Sequence, residues 1–211
     1  MRKLISLIAT MAGVLTVALM GTPAVAADLP NPLGLRGFNL GMTLDELRRL
    51  KFPDPTTDDV RLICTGDELS GEAGLGSEVD DIGVKLCGFF AVAKGKVRNM
   101  PMIVGGPEAR VTFAITPNFF DTTISKRLFD IYVVVKSEHF ADLETAYTAK
   151  FGPPHARRRP PDRGMSWRSK HANLTFLDRV DGLNILYTDT ELNWIVDAMK
   201  KTKGKPGADK L

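Results

Sequence analysis

The segment with the most evident chemical potential is a basic run at residues 155–171, "HARRRPPDRGMSWRSKH". Arginine guanidinium groups bind phosphate or carboxylate oxygens through paired N–H donors, and an exposed Trp can bury a large apolar area at an interface. The run therefore predicts a binding surface for an acidic protein face, anionic lipid headgroups or lipopolysaccharide phosphates. The predicted contact residues are Arg157, Arg158, Arg159, Arg163, Trp167 and Arg168.

Two alternatives remain open for this run. The arginines could belong to a solvated hairpin loop that only keeps the protein soluble. Trp167 could point into the core, since successive residues of a strand alternate between the two faces of a sheet.

Residues typical of enzyme active sites are scattered. No Gly-x-Ser-x-Gly motif occurs, and His139, His155 and His171 lack the spacing of zinc ligands. The acidic loop "GDELSGEAGLGSEVDD" lacks the Asp spacing of a calcium loop. We therefore predict no catalytic residues, no metal and no cofactor. The alternatives are a small exported hydrolase with a dispersed site, such as Glu138, His139 and Asp142, or a carrier in which a curved sheet encloses an apolar ligand.

The chain has two cysteines, Cys64 and Cys87, and both lie in strand-like runs. In an exported chain such a pair most simply forms one disulfide, because neither the spacing nor the neighbours suit a metal or redox site. In the chain-entropy description, a disulfide that closes the loop between these two cysteines would stabilise the fold by roughly 3 kcal/mol.

The N-terminus predicts export. A positive start, an apolar stretch from Leu4 to Met20 and the small-residue sequence "AVA" are typical of a secretory signal peptide over 1–26, with a retained membrane anchor as the alternative. Removing Arg2 and Lys3 lowers the formal net charge from +3 to +1, so the charge favours no nucleic-acid partner. We predict a periplasmic or secreted protein with no transmembrane segment after cleavage.

The elements that would position these residues follow from hydrophobic periodicity. Thr43 caps a first predicted helix, Ser137 caps a second that ends at Gly152, and a third runs over about 190–201. Strands are predicted at 60–65, 83–92, 109–116, 128–135, 165–170, 172–178 and 183–189. The order predicts an α+β fold of helix-plus-antiparallel-sheet units, two in tandem, with a C-terminal helix. Their bounds are 27–136 with the disulfide and 137–202, followed by a flexible basic tail over 203–211.

Two segments carry a resemblance to a known family. "FNLGMTLDELRRL" and "LETAYTAKFGPPH", the latter followed by "MSWRS" and "ANLTFL", resemble small exported proteins of the β-lactamase-inhibitor-protein-like type. That type includes the small outer-membrane lipoprotein of the β-barrel assembly machinery. The resemblance implies packed helix-plus-sheet units and binding to proteins rather than catalysis, and it carries over no catalytic residue. The lipid-bearing Cys of the assembly lipoprotein is missing here.

Together these observations predict a secreted or periplasmic, non-enzymatic binding or accessory protein. Its partner would be another envelope protein or an anionic envelope surface, contacted through the basic run.

Overall fold

The computed structural model describes residues 28–75, 82–159 and 163–203. The predicted signal peptide over 1–26 lies outside these ranges, as does the predicted tail except Lys203, the last residue of a helix. The helices are α1 (Leu44–Arg49), α2 (Phe140–Phe151) and α3 (Thr190–Lys203), with a 3-10 turn at Ser137–His139. The strands are β1 (Gly34–Leu35), β2 (Phe38–Asn39), β3 (Val60–Cys64), β4 (Lys85–Ala93), β5 (Lys96–Asn99), β6 (Met102–Ile103), β7 (Glu108–Ile115), β8 (Leu128–Val135), β9 (Ala156–Arg158), β10 (Gly164–Arg168), β11 (Ala172–Arg179) and β12 (Gly182–Asp189).

Ten of these strands form one antiparallel sheet. Its main path runs β3-β4-β7-β8-β12-β11-β10-β9, with β5 also paired to β4 and β6 to β7. Strands β1 and β2 form a separate hairpin.

The predicted α+β architecture of tandem helix-plus-sheet units is wrong, because the fold is mostly β with three short helices. The decisive contact is the pairing of β8 with β12, which joins strands from both halves of the chain over a register from Leu183↔Val135 to Thr188↔Asp130. Two separate sheets would leave the edges of β8 and β12 unpaired, and pairing them satisfies both rows of backbone groups. Hydrophobic periodicity identifies strands but does not show which edges meet.

One side of the sheet, here called the covered face, carries the main core. Alternate residues of the central strands, such as Phe113, Ile131 and Ile185, are completely buried beneath α1, α2 and the β1–β2 hairpin. Helix α2 contributes its buried stripe of Phe140, Leu143, Tyr147 and Phe151. Helix α1 begins with a capping box in which the side chains of Thr43 and Glu46 satisfy each other's backbone N–H groups.

The other side of the sheet, here called the open face, is covered only in part. Helix α3 follows β12 directly and packs Leu192 and Val196 against Ile82, Val84 and Phe129. Within the described ranges no other helix packs on this side. Apolar side chains beyond α3 therefore stay partly exposed, among them Leu86 (42%) and Tyr132 (36%).

The predicted disulfide is confirmed. Cys64 of β3 lies directly opposite Cys87 of β4, with a Cα–Cα distance of 4.0 Å and both side chains fully buried. Within the described ranges no helix has the length and apolar character that a membrane crossing requires.

Candidate functional site on the open sheet face

Of the six predicted contact residues Trp167 alone is buried, and the five arginines are exposed but differ in whether they form ion pairs. Trp167 is fully buried, and its Nε1 atom donates a hydrogen bond to the carbonyl oxygen of Gly152 at 2.8 Å. Its ring packs with Tyr147 and Phe176 beneath α2. Trp167 is therefore a core residue and not an exposed contact residue.

Two of the arginines fasten α2 to the sheet. Arg157 forms an ion pair with Glu144 of α2. Arg163 donates from Nε to Oδ2 of Asp178 at 3.0 Å, and its guanidinium carbon lies 4.0 Å from the centre of the Phe140 ring. Both side chains already have partners in the folded protein, and these contacts are structural.

The other three arginines are exposed. Arg158 and Arg168 lie on the open face, because they are opposite Gly164 and Asn173 in the strand register. Arg159 follows directly after β9. Within the described ranges none of the three forms an ion pair.

Strand register organises the open face into three rows that cross the sheet. The first row joins Arg110, Val134, Asn184, Leu177, Gly164 and Arg158. The second joins Thr112, Tyr132, Leu186, Thr175, Ser166 and Ala156. The third joins Leu86, Ala114, Asp130, Thr188, Asn173 and Arg168. From β7 to β9 and from the first to the third row, this lattice measures roughly 24 Å by 14 Å at ordinary strand spacing.

Arginines stand at three of the four corners of this lattice, Leu86 stands at the fourth, and apolar side chains lie between them toward β4. Leu86, Tyr132 and Leu186 line a groove of about 490 Å³, and the loop residues Ala73, Gly74 and Leu75 line it as well. The Tyr132 hydroxyl donates to Oδ1 of Asn184, whose amide in turn donates to the Gly182 carbonyl at 2.9 Å. This chain of hydrogen bonds holds the exposed Tyr132 ring in one orientation.

Asp130 is the one carboxyl residue in the three rows. Burial raises its pKa from 3.8 to about 7, with Asp197 and Asp189 raising it further, while a hydrogen bond from Thr188 and the charge of Lys200 lower it. Its Oδ1 atom is buried and has no hydrogen-bond partner within the described ranges. The carboxyl is therefore largely neutral below pH 7, and in that state the lattice carries only positive formal charge.

Sequence reasoning did not identify Arg110, Tyr132, Asp130 or Leu186. The signal that could have found two of them is the strand "LFDIYVVV", in which Asp130 and Tyr132 share one face within an otherwise apolar run.

Of the residues of the dispersed hydrolase alternative, Glu138 and His139 lie together and Asp142 lies in the first turn of α2. His139 Nε2 lies 3.5 Å from Glu138 Oε1 on the turn before α2, and both side chains have solvent access. No group of three or more possible metal ligands occurs within the described ranges. A larger groove of about 900 Å³, lined in part by Arg158, Arg179 and Asp181, adjoins the turn between β11 and β12.

No family model matches this chain, and no curated protein or solved structure matches it. The likeness to the β-lactamase-inhibitor-protein-like type stays a prediction.

Proposed function

We propose that this chain is an exported, non-enzymatic binding protein that contacts another protein through the open face of its sheet. The observation that carries the proposal is the arrangement of this face, with a groove beside Tyr132 that Leu86 and Leu186 line and exposed arginines at three of the four corners of the rows. Protein interfaces commonly have such an apolar centre and a polar rim, with Tyr and Arg enriched among the residues that dominate binding.

The disulfide is compatible with export, because such bonds persist in oxidising compartments. The open face also suits binding better than the basic run taken as a whole, because Arg157, Arg163 and Trp167 already have structural partners. Of the residues in the basic run, Arg158 and Arg168 belong to the proposed surface.

The test compares proteins captured from envelope extracts of the source organism by the wild-type chain and by two variants. Leu86→Gln combined with Leu186→Gln removes apolar groups from the groove, and Phe120→Gln makes the same kind of change at an exposed position in the loop after β7. We expect a partner that the wild type and Phe120→Gln retain and the double variant loses. Circular dichroism confirms that each variant is folded. Capture of the same proteins by all three forms would refute the open face as the contact.

A further inference from the structure

The proposed function leaves the chemistry of the partner open, and the open face restricts it. Resting on that function, we propose that the open face binds an acidic polypeptide segment, which places an apolar side chain in the groove beside Tyr132 and carboxylates on Arg110, Arg158 and Arg168. The segment would be a loop or tail of another protein.

Charge complementarity is the first support. Arg110, Arg158 and Arg168 are all exposed, and within the described ranges none of them forms an ion pair. Arg110 and Arg158 stand at opposite ends of the first row, and Arg168 ends the third row. A guanidinium group with no internal carboxylate keeps its paired donors available for a carboxylate of a partner.

The state of Asp130 is the second support. This carboxyl lines the floor of the groove, and burial keeps its pKa at about 7. Below that pH an apolar side chain can cover it without burying a charge. The groups that face Asp130 are Thr188 and Asp189 on β12 and Asp197 and Lys200 on α3. Above pH 7 its negative charge would repel an acidic segment, so binding should weaken as the pH rises.

The size of the lattice is the third support. Its projected area is roughly 300 Å² at ordinary strand spacing, well below the roughly 800 Å² that each partner contributes to a standard interface. An extended segment of about seven residues covers the roughly 24 Å between β7 and β9. The lattice therefore fits a short segment better than the broad face of a second folded domain.

The recessed groove favours a polypeptide over a lipid surface. Its lining includes the loop residues Ala73, Gly74 and Leu75 as well as Leu86 and Leu186 of the sheet. A layer of anionic headgroups would contact the arginines at the rim and leave these apolar residues uncovered. A side chain that projects from a polypeptide reaches them.

The experiment selects binders from a displayed library of random twelve-residue peptides on the immobilised full chain. Dissociation constants of the selected synthetic peptides are then measured by fluorescence polarisation. The test variant carries Arg110→Glu, Arg158→Glu and Arg168→Glu. The control carries Arg49→Glu, Lys51→Glu and Lys96→Glu, which change the net charge equally at exposed positions outside the three rows. Circular dichroism and thermal unfolding show that each variant is folded.

We expect selected peptides to be rich in Asp or Glu with an aromatic or Leu residue, and their affinity to fall with ionic strength. Affinity should drop at least about tenfold in the test variant and by less than about threefold in the control. The affinity of the wild type for the selected peptides should also fall between pH 6 and pH 8.5, and the affinity of Asp130→Asn should stay constant over this interval.

Two outcomes would overturn the acidic partner and leave the proposed function standing. The selected peptides could depend on the open face but lack acidic residues, or they could bind the test variant and the control equally. If no selected peptide loses affinity for the variant that carries Leu86→Gln and Leu186→Gln, both the acidic partner and the proposed function are overturned. If the wild type binds phosphatidylglycerol vesicles and the test variant does not, the occupant of the open face is a lipid surface and not an acidic segment. If sedimentation velocity shows that the chain self-associates through the open face, the occupant is a second copy of the chain.

Discussion

Replacing Asp130 by Asn tests whether a buried carboxyl makes the stability of this protein depend on pH. In the folded chain burial raises its pKa from 3.8 to about 7, and Oδ1 has no hydrogen-bond partner within the described ranges. In the unfolded chain water surrounds the group, and its pKa returns to about 4. The folded state therefore binds the proton more tightly than the unfolded state does.

The sign and size of the effect follow from this difference. Between pH 4 and pH 7 the unfolded chain has lost the proton and the folded chain keeps it, so stability falls as the pH rises and is level above about pH 7. Each pH unit contributes about 1.4 kcal/mol, so the full loss is about 4 kcal/mol, of which about 2 kcal/mol falls between pH 5.5 and pH 8.5. These values are upper limits, because local release of α3 would let water reach the carboxylate.

Urea unfolding at pH 5.5 and pH 8.5 provides the measurement. We expect wild-type stability to fall over this interval by up to about 2 kcal/mol more than that of Asp130→Asn. Asp121→Asn is the control, because hydrogen bonds from Thr123 lower the pKa of Asp121, so this carboxyl is ionised in both states over the interval and its removal should leave the pH dependence as in the wild type. Equal pH dependence of the wild type and Asp130→Asn would show that the Asp130 carboxyl is well solvated, and the reasoning would fail.

Three further predictions concern the covered face and the elements around it, each measured by urea unfolding at constant pH. Cys64→Ser with Cys87→Ser should lower the unfolding free energy by about 3 kcal/mol, because the bond closes a loop of 23 residues; an unchanged midpoint would contradict this. Trp167→Ala should cost about 3–5 kcal/mol through the cavity it leaves and the lost hydrogen bond to Gly152, whereas a cost near that of an exposed substitution would place the ring outside the core. Thr43→Ala should cost about 1 kcal/mol by removing half of the capping box, and Thr43→Asp, which can still cap the helix, should retain most of the stability.

Local sequence signals predicted the elements better than their assembly. Thr43 and Gly152 cap α1 and α2 as predicted, and the run at 128–135 forms β8 over the same residues. The prediction that Ser137 caps α2 is wrong, because Ser137 begins the 3-10 turn and no side chain caps α2. The confirmed features depend on periodicity and capping, which operate within a few residues. The pairing of β8 with β12 joins residues about fifty positions apart, and nothing in either strand specifies the other as its neighbour. The tandem-unit prediction failed at that step.

The same distinction applies to the candidate site. The basic run predicted one contiguous surface, but the pleat of β9 and β10 sends neighbouring side chains to opposite faces. Arg157 thereby reaches Glu144 on α2, while Arg158 reaches the open face. Arg110 joins Arg158 in one row only because five successive strand pairings from β7 to β9 bring them into register. A contiguous run of charges in a strand is therefore poor evidence for a contiguous charged surface.

The strand β8 shows what a more careful use of alternation would have provided. Its run "LFDIYVVV" is typical of a strand at the centre of a sheet, and β8 does pair on both sides, with β7 and β12. Yet Asp130 and Tyr132 interrupt the apolar pattern on one face only, while Ile131 and Val133 on the other face are completely buried. A strand fully enclosed on both faces has no reason to place a carboxyl and a phenol two residues apart, because each would need a buried partner. On that face Tyr132 is 36% exposed, whereas burial raises the pKa of Asp130 close to α3, so the two polar residues mark a face that is covered only in part, and this face is the one proposed to bind the partner.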